Sequence, residues 1–251
     1  MLSQGSGFTR MSLETYDRLW TESWGDQQRY GPVHRRHREE LVKLIKKLDV
    51  RTVLDVGCGS GDNLAALAEA LPDVSLAGVD VSPQALALAA RRVPNANFRQ
   101  LDAQSESLDE RFDLVMSNQV VEHLIDDMAA FRNLALMANK WVLVGTMRGR
   151  MRRSELAIGH FRNYSDVELR AKAEHAGLEV VDIFGWGFPF YSPLYRTAIE
   201  WLPSVPEGKF GPVEKSIANF LYYLYGLNIP RRGDVVTMLA RPKPLVEKRP
   251  S

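Results

Sequence analysis

The sequence contains a single cysteine, Cys58, among its 251 residues. One thiol excludes a disulfide framework and a zinc site built from several thiolates. The chain also lacks any apolar run near the roughly 18 residues that a membrane-spanning helix needs. Its first residues contain no apolar segment of the kind found in secretory signals. We therefore expect a cytoplasmic protein, for which contact with a membrane surface remains open.

Neither sign of charge is in excess, since 32 Lys and Arg residues oppose 31 Asp and Glu residues. Proteins that bind nucleic acid across a broad surface are usually more basic, so we expect no nucleic-acid partner. Apolar residues make up 45% of the chain and charged residues 25%, which is typical of a globular protein and not of a disordered one. The length favours one core domain with insertions.

Short apolar segments alternate with helical segments from Arg51 onward. Five strands are predicted in succession, with the sequences RTVLDV, VSLAGVD, NFRQLD, FDLVMSN and KWVLVGT. Continuous apolar strands that alternate with helices predict a parallel sheet covered by helices on both faces. Two further strands, LEVVDIFG and DVVTMLARP, follow near the end of the chain.

A glycine-rich turn follows the first strand, in the segment VLDVGCGSGDNL at 53–64. Glycine adopts positive φ easily and lets a ligand approach the main chain, and open α/β sheets bind ligands at this end of their strands. Position 62 is Asp, so the dinucleotide pattern G-x-G-x-x-G fails, and the Gly-Lys-Ser/Thr of a P-loop is absent. The turn also has no Lys or Arg, which favours a ligand with little negative charge.

Polar residues stand at the ends of four successive strands. Asp55 precedes the glycine turn, and Asp80 ends the second strand, where a carboxylate can accept from both hydroxyls of a ribose. Asp102 ends the third strand, where it can accept from an exocyclic amine such as adenine N6. Asn118 ends the fourth. Four such groups in one constellation are stronger evidence for a ligand site than the glycine turn alone.

This constellation resembles the class I S-adenosylmethionine-dependent methyltransferases. VLDVGCGSG is similar to their first motif, GVD to their ribose-binding acid, LDA to their adenine-binding acid and FDLVMSNQVVEHL to their fourth-strand motif. The resemblance covers residues 40–185. It implies a Rossmann-like seven-stranded sheet, mostly parallel with the last strand antiparallel, with S-adenosylmethionine as cofactor and S-adenosylhomocysteine as product. The segment LMANKWVLVG departs from the Pro-Gly-Gly turn that many relatives carry before the fifth strand.

The resemblance implies cofactor contacts along the first strand and its turn. Gly57, Cys58 and Gly59 would pass the methionine end of the cofactor, with Asp55 near its amino group. Cys58 is expected to be a small buried residue that packs in the loop, and a redox role is the alternative.

The next strands would hold the nucleoside. Asp80 would bind the ribose and Val81 would pack on the adenine, while Asp102 and Ala103 would lie at the adenine edge. A helix cap or a surface turn is the structural alternative for these two acids.

The fourth strand and the N-terminal helices complete the implied site. Asn118 and Gln119 would lie beside the methionine part and the transferring methyl group. Because the N-terminal helices of many relatives close over the cofactor, Tyr16, Trp20 and Tyr30 are further candidates for contact.

These observations divide the chain into four parts, which belong to one structural domain. Residues 1–48 form an N-terminal helical cap, which RYGP at 29–32 breaks in two, and residues 49–185 form the cofactor-binding Rossmann-like core. Residues 186–232 form an aromatic-rich lid between the last two strands, because so long a connection usually serves binding. Residues 233–251 hold the final strand and a disordered tail.

Two histidines are the candidate catalytic residues. An oxygen acceptor benefits from a general base, and His123 in VVEHL and His160 in GHFRNYS are placed to act as one. Each also has a structural reading, as a group that holds its loop in place. The basic run RGRMRRS at 148–154 is either a solvated loop or an anchor for phosphate or carboxylate on the acceptor. No residue pattern demands a metal, so we expect none.

We therefore expect methyl transfer to a small-molecule acceptor or to a lipid- or glycan-linked one, at oxygen. The lid would be packed by its own side chains or form a dimer contact, or else would provide an apolar acceptor pocket or a membrane contact. The protein would be a monomer or a homodimer. A nucleic-acid methyltransferase is an alternative, although SNQV stands where base-amine methylating enzymes carry an Asn/Asp-Pro-Pro-aromatic motif. A protein methyltransferase and a non-catalytic scaffold are the others.

Overall fold

The computed structural model describes residues 13–198, 200 and 209–244. Within these residues seven strands form one sheet with the order β3-β2-β1-β4-β5-β7-β6. The strands are β1 Thr52–Val56, β2 Ser75–Asp80, β3 Asn97–Gln100, β4 Phe112–Asn118, β5 Ala138–Met147, β6 Leu178–Trp186 and β7 Val235–Pro242. β1 to β5 are parallel, and β7 runs antiparallel to both β5 and β6. The predicted fold class is confirmed. Of the disordered tail expected at 242–251, positions 245–251 lie outside the described residues, as do positions 199 and 201–208 of the predicted lid.

Helices cover both faces of the sheet. In the described chain they are α1 Leu13–Leu19, α2 Gly25–Tyr30, α3 Pro32–Ile45, α4 Asp62–Ala70, α5 Pro83–Arg92, α6 Asp127–Met137, α7 Arg153–Ala157, α8 Asp166–His175, α9 Arg196–Ala198 and α10 Pro212–Tyr225. A π-helical turn, Trp20–Trp24, joins α1 to α2, and a second, Phe190–Tyr195, leads into α9. One apolar core lies under α6 and α8, and the other lies under α3 and α4. Burial on both faces explains why the strands read as continuous apolar runs.

Several helix boundaries follow from local sequence. Ser82 caps α5 by accepting a hydrogen bond from the Ala85 amide at 3.0 Å, with proline at the first helical position. Ser165 and Glu168 form a reciprocal capping box at the start of α8. The break predicted at RYGP is confirmed, because α2 ends at Tyr30 and α3 begins at Pro32.

Asp127, at the start of α6, is a buried junction between three segments. Its carboxylate accepts from Lys172 of α8 at 2.9 Å, from the Tyr164 hydroxyl at 2.8 Å and from Arg162 at 2.8 Å. Burial raises the pKa of this carboxyl, but these hydrogen bonds outweigh it and hold the pKa below its ordinary value. Arg162 and Tyr164, both within the GHFRNYS segment, therefore tie α6 to the loop before α8, and Lys172 ties it to α8 itself.

The cap and the lid pack on one another through α3 and α10. Arg35 and Arg36 lie over the ring of Tyr222, at 4.0 and 3.8 Å from its centroid. Arg36 also donates to the Tyr222 carbonyl at 2.7 Å, and the Tyr222 hydroxyl bonds Glu39. No helix in the described part of the chain is both long and apolar enough to cross a bilayer.

Replacing Asp127 by Asn should lower the free energy of unfolding at pH 7 by roughly 1–3 kcal/mol, because two cations then face an amide. A carboxyl with a depressed pKa stabilises the fold above its unfolded pKa of about 3.9 and loses that contribution as the pH falls further. The difference in the free energy of unfolding between wild type and variant, measured by urea denaturation, should therefore disappear below about pH 4. Asp73→Asn, at an exposed acid, is the control, and a gap independent of pH would contradict the assignment.

Candidate functional site

The turn between β1 and α4 depends on three glycines with positive φ. Gly57, Gly59 and Gly61 have φ of 75°, 53° and 76°. The amides of Gly57 and Cys58 donate to the Val79 carbonyl at 2.7 and 3.0 Å, which fixes the turn to β2. The glycines therefore place main chain without side chains at the carboxyl edge of the sheet, where ligands of such folds bind.

Asp80 organises this turn from the end of β2. One carboxylate oxygen accepts from the Gly59 amide and the other from the Ser82 amide, both at 2.9 Å. Burial raises the pKa of Asp80 to about 6, although the backbone donors partly offset that effect. Each oxygen keeps a further lone pair, so the predicted ribose contact is compatible with this geometry.

Asp55, at the end of β1, is fully buried beside the turn. Among the described residues, neither of its oxygens has a hydrogen-bond partner of good geometry. Burial and the nearby Asp80 carboxylate raise the pKa of Asp55 to about 7, with Asn63 partly offsetting them. A buried acid without a partner is costly and marks a place where a cationic ligand group would be stabilised.

The fourth strand supplies two more polar groups without partners. The buried Asn118 Oδ1 and the buried Gln119 Nε2 have no hydrogen-bond partner within the described chain. Asn118 pairs with Gly145 of β5, where an added Cβ would lie 2.1 Å from Asn118 Oδ1. Gln119 has φ of 57°, and its amide donates to the Gly145 carbonyl at 2.7 Å. Backbone strain of this kind tends to occur at functional positions.

The residues predicted to hold adenine lie along the same edge. The Leu101 amide donates to the Asp80 carbonyl at 3.0 Å, which brings Asp102 next to the end of β2. Asp102 Oδ1 accepts from the Gln104 amide at 3.0 Å, so this carboxylate also shapes its own turn. Val81 is half-buried and Ala103 is buried. Their contacts with adenine stay predictions.

Cys58 contributes packing and main chain. Its side chain is buried in the core under α3 and α4, and a Cβ at Gly78 would lie 2.9 Å from its Sγ. Burial raises the pKa of the thiol well above its usual value, so it is not a thiolate at neutral pH.

Trp20 lies directly over the glycine turn. A Cβ built on Gly59 would lie 2.3 Å from Cη2 of the indole ring. Asp17 of α1 bonds the Ser82 hydroxyl, so this segment is also attached to the start of α5. Tyr30 instead packs against Phe210, with ring centroids 6.0 Å apart. The side chain of Tyr16 lies outside the described parts.

The two candidate catalytic histidines meet beyond β4. The rings of His123 and His160 have centroids 4.5 Å apart at 79°. Burial, more than any other cause, lowers the pKa of His123 to about 3 and that of His160 to about 4. Both are neutral at pH 7 and are weak bases.

Glu122 is a site residue that the sequence reasoning missed, although it stands in the quoted motif VVEHL. It is fully buried, and one carboxylate oxygen accepts from the Thr146 hydroxyl at 2.8 Å. Burial raises its pKa to about 7, a value suited to a general base near neutral pH. The feature of the sequence that could have identified Glu122 is an acid next to His123, shortly after a buried strand.

The basic run after β5 forms internal ion pairs. Arg148 pairs with Asp166 at 2.9 Å, and both Arg150 and Arg152 reach Glu200, at 2.9 and 3.4 Å. These arginines connect the loop to α8 and to the lid. Arg150 nevertheless remains largely exposed to solvent, and the role of the run as an anion anchor stays a prediction.

The lid aromatics form a cluster of their own. Neighbouring ring centroids in it lie 5.8–6.2 Å apart, and its members are Trp186, Tyr191, Tyr195 and Tyr225. The opposite face of α10 exposes Val213, Ile217 and Phe220. The membrane contact and the dimer contact stay predictions.

Gly59→Ala should lower the free energy of unfolding by roughly 2–4 kcal/mol, because the new Cβ combines positive φ with a clash against Trp20. Gly177→Ala is the matched control, since φ there is 85° and no described atom lies within 4 Å of the added Cβ. We expect it to lose only about 1 kcal/mol. Combining Gly59→Ala with Trp20→Ala should cost less than the sum of the single changes in denaturant titrations. Equal losses at both glycines would contradict the Trp20 contact.

The cofactor that the sequence implies fits two observations. S-adenosylmethionine carries a positive amino group, and Asp55 offers a buried carboxylate with no hydrogen bond of good geometry among the described residues. Gly57 and Gly59 carry no side chains of their own, which allows a ligand to approach the main chain, although Val120 and Trp20 lie against them in the ligand-free protein.

The known proteins that this chain resembles in sequence include several methyltransferases. A methyltransferase-domain family model matches residues 53–139. A trans-aconitate 2-methyltransferase of Azoarcus sp. is 31% identical over 41% of this chain and 42% of its own length. A ubiquinone biosynthesis O-methyltransferase of Hydrogenovibrio crunogenus is 27% identical over 73% of this chain and 85% of its own. The chain thus spans about two fifths of the first of these relatives.

Solved structures share the fold at low identity. A TehB-like SAM-dependent methyltransferase from Corynebacterium glutamicum aligns with a TM-score of 0.51 at 18% identity, covering 80% of this chain and 86% of that one. A magnesium protoporphyrin IX methyltransferase from Synechocystis with bound SAH aligns with a TM-score of 0.54 at 14% identity, covering 94% and 90%. A 4+2 cyclase, SpnF, aligns with a TM-score of 0.57 at 20% identity, covering 81% of each chain. The motifs, the methyltransferase-domain model over residues 53–139 and the fold together support the class I S-adenosylmethionine-dependent methyltransferase family.

Proposed function

We propose that this chain transfers the methyl group of S-adenosylmethionine to an oxygen of a small-molecule acceptor or of a lipid- or glycan-linked one. The observation that carries the proposal is the buried Asp55 carboxylate without a partner, next to a glycine turn that Asp80 holds in place. Relatives named for trans-aconitate and for ubiquinone biosynthesis favour a small or lipid-like acceptor. The near-zero net charge gives no support to a nucleic-acid substrate.

The cofactor supplies a methyl group that its sulfonium already activates for displacement. The protein must then align the acceptor with that methyl group and exclude water. Asp55 would bind the amino group and Asp80 the ribose hydroxyls. Trp20, which lies over Gly59, would shield this part of the site.

The acceptor proton needs a destination. As the methyl carbon bonds to the acceptor oxygen, the S–C bond breaks and its electron pair stays on sulfur, so the acceptor proton leaves to a base. His123 and His160 are candidates from the sequence, and the pKa of Glu122 adds a third.

Methyl transfer itself needs a direct test, because one fold supports several chemistries. The fold neighbour described as a 4+2 cyclase illustrates this. Methyl-labelled S-adenosylmethionine should be incubated with the protein and an extract of its source organism, followed by separation into organic, aqueous and macromolecular fractions. We expect label in the organic or aqueous fraction. Label in precipitated macromolecule would replace the small-acceptor proposal, and no label in any fraction would favour a scaffold.

Asp55→Asn should weaken S-adenosylmethionine binding at least tenfold, because the buried carboxylate would lose its charge toward the amino group. Isothermal titration calorimetry measures this, with Asp73→Asn as the exposed control. An unchanged dissociation constant would remove Asp55 from the site.

The same variant should have the opposite effect on the stability of the ligand-free protein. A carboxyl whose pKa is raised to about 7 stabilises the fold below its unfolded pKa of about 3.9, and this contribution is lost as the pH rises through about 7. Asp55→Asn should therefore gain roughly 1–3 kcal/mol over wild type as the pH increases from 4 to 8. Urea denaturation across that range gives the test, and a constant difference would contradict the raised pKa.

A further inference from the structure

Three side chains that can ligate a metal converge beyond the end of β4. Each of Glu122, His123 and His160 offers one ligand atom, and these atoms all lie within 4.8 Å of one another. Glu122 and His123 belong to a single 3₁₀ turn, Val121–His123, whereas His160 comes from the loop after α7.

Main-chain hydrogen bonds bring the two segments together. The Phe161 amide donates to the Glu122 carbonyl at 2.8 Å, and the His160 amide donates to the Glu155 carbonyl at 3.0 Å. The position of His160 opposite Glu122 is therefore set by the backbone and does not depend on a flexible side chain.

Two of the three side chains are also held by a second group. The Thr146 hydroxyl donates to Glu122 Oε2, which leaves Oε1 buried and without a partner among the described residues. His160 Nδ1 lies 3.5 Å from Asn163 Oδ1. Outer groups of this kind orient the side chains that ligate metals in proteins.

Among the described residues, no salt bridge neutralises the Glu122 carboxylate. The two buried arginines on this side of the fold have other partners, since Arg196 is bound to Glu155 and Asp234 and Arg152 reaches Glu200. A buried carboxylate oxygen without a donor is costly, and two neutral imidazoles provide lone pairs in place of positive charge. A bound cation would satisfy all three groups at once.

We propose that Glu122, His123 and His160 bind a divalent first-row transition-metal ion. Two imidazole nitrogens and one carboxylate oxygen suit Zn²⁺, Fe²⁺ or Mn²⁺, whereas Ca²⁺ and Mg²⁺ prefer oxygen ligands alone. Three protein ligands leave coordination positions open, and His123 is only half-buried, so the open side can receive a small molecule. This site departs from the sequence expectation of no metal.

The role of the metal rests on the proposed function, whereas its binding does not. The site follows Asn118 and Gln119 at the end of β4, where the transferring methyl group is expected. A metal ion there would bind the acceptor oxygen and lower the pKa of its hydroxyl. With the ion bound, Glu122, His123 and His160 would act as its ligands and not as the base that takes the acceptor proton.

The test uses the full chain, stripped of metal and free of S-adenosylmethionine. Equilibrium dialysis against Zn²⁺ should give one tightly bound ion per chain, and Co²⁺ should give the visible absorption of a low-symmetry site with nitrogen ligands. His160→Ala and Glu122→Gln should each weaken binding at least tenfold. His175→Ala, at an exposed histidine of α8, should bind as wild type does. Absence of a stoichiometric ion in wild type, or equal binding by His160→Ala, would overturn the proposal.

Two further measurements separate the metal site from folding and from catalysis. His123→Ala, at the half-buried ligand, should retain the wild-type thermal transition and still lose the Co²⁺ spectrum, and an unchanged spectrum would overturn the ligand assignment. If methyl transfer is detected, a chelator should abolish it without changing the affinity for S-adenosylmethionine. A chain that binds the ion and transfers no methyl group would contradict the proposed function and leave the metal site in place.

Discussion

Two carboxylates buried at adjacent strand ends determine the shape of the whole cofactor edge. Asp80 accepts from the amides of Gly59 and Ser82, so one side chain fixes both the glycine turn and the start of α5. Asp55 lies beside it, and its carboxylate has no hydrogen bond of good geometry among the described residues. Burial is the main reason that both pKa values are raised, and the Asp80 carboxylate adds to the effect on Asp55. The ligand-free fold thus holds electrostatic free energy that a cationic ligand would release, as is common where stability is exchanged for function.

A further buried acid, Asp127, has a pKa shifted in the opposite direction. Asp127 is surrounded by donors from α8 and from the loop before it, and its pKa is depressed. It lies away from the proposed ligand and holds helices together. Asp55 and Asp127 are both buried, so burial alone does not distinguish a binding role from a structural one. Their hydrogen-bond partners do distinguish them.

Much of this architecture was predictable from the sequence because its signals are local. Each acid at a strand end follows directly after an apolar run, and the parallel order brings these ends to one edge. The capping residues Ser82 and Ser165 can be identified from the sequence because each bonds a residue within four positions of itself. The contact of Trp20 with Gly59 and the meeting of His160 with Glu122 were not predictable, because they join segments distant in sequence. The partners of Arg148 and Arg152 likewise come from α8 and the lid, so the basic run alone was ambiguous.

The stacking of Tyr222 between cap and lid has a mechanical consequence. The chain that shields the glycine turn continues through α2 into α3, and α3 carries the arginines that lie on Tyr222. Phe210 adds a second attachment, since its amide donates to Asp26 at 2.8 Å. The segment over the glycine turn and helix α10 are therefore attached to each other through α3. Moving one away from the other would break the arginine contacts with Tyr222 and the hydrogen bond between Phe210 and Asp26.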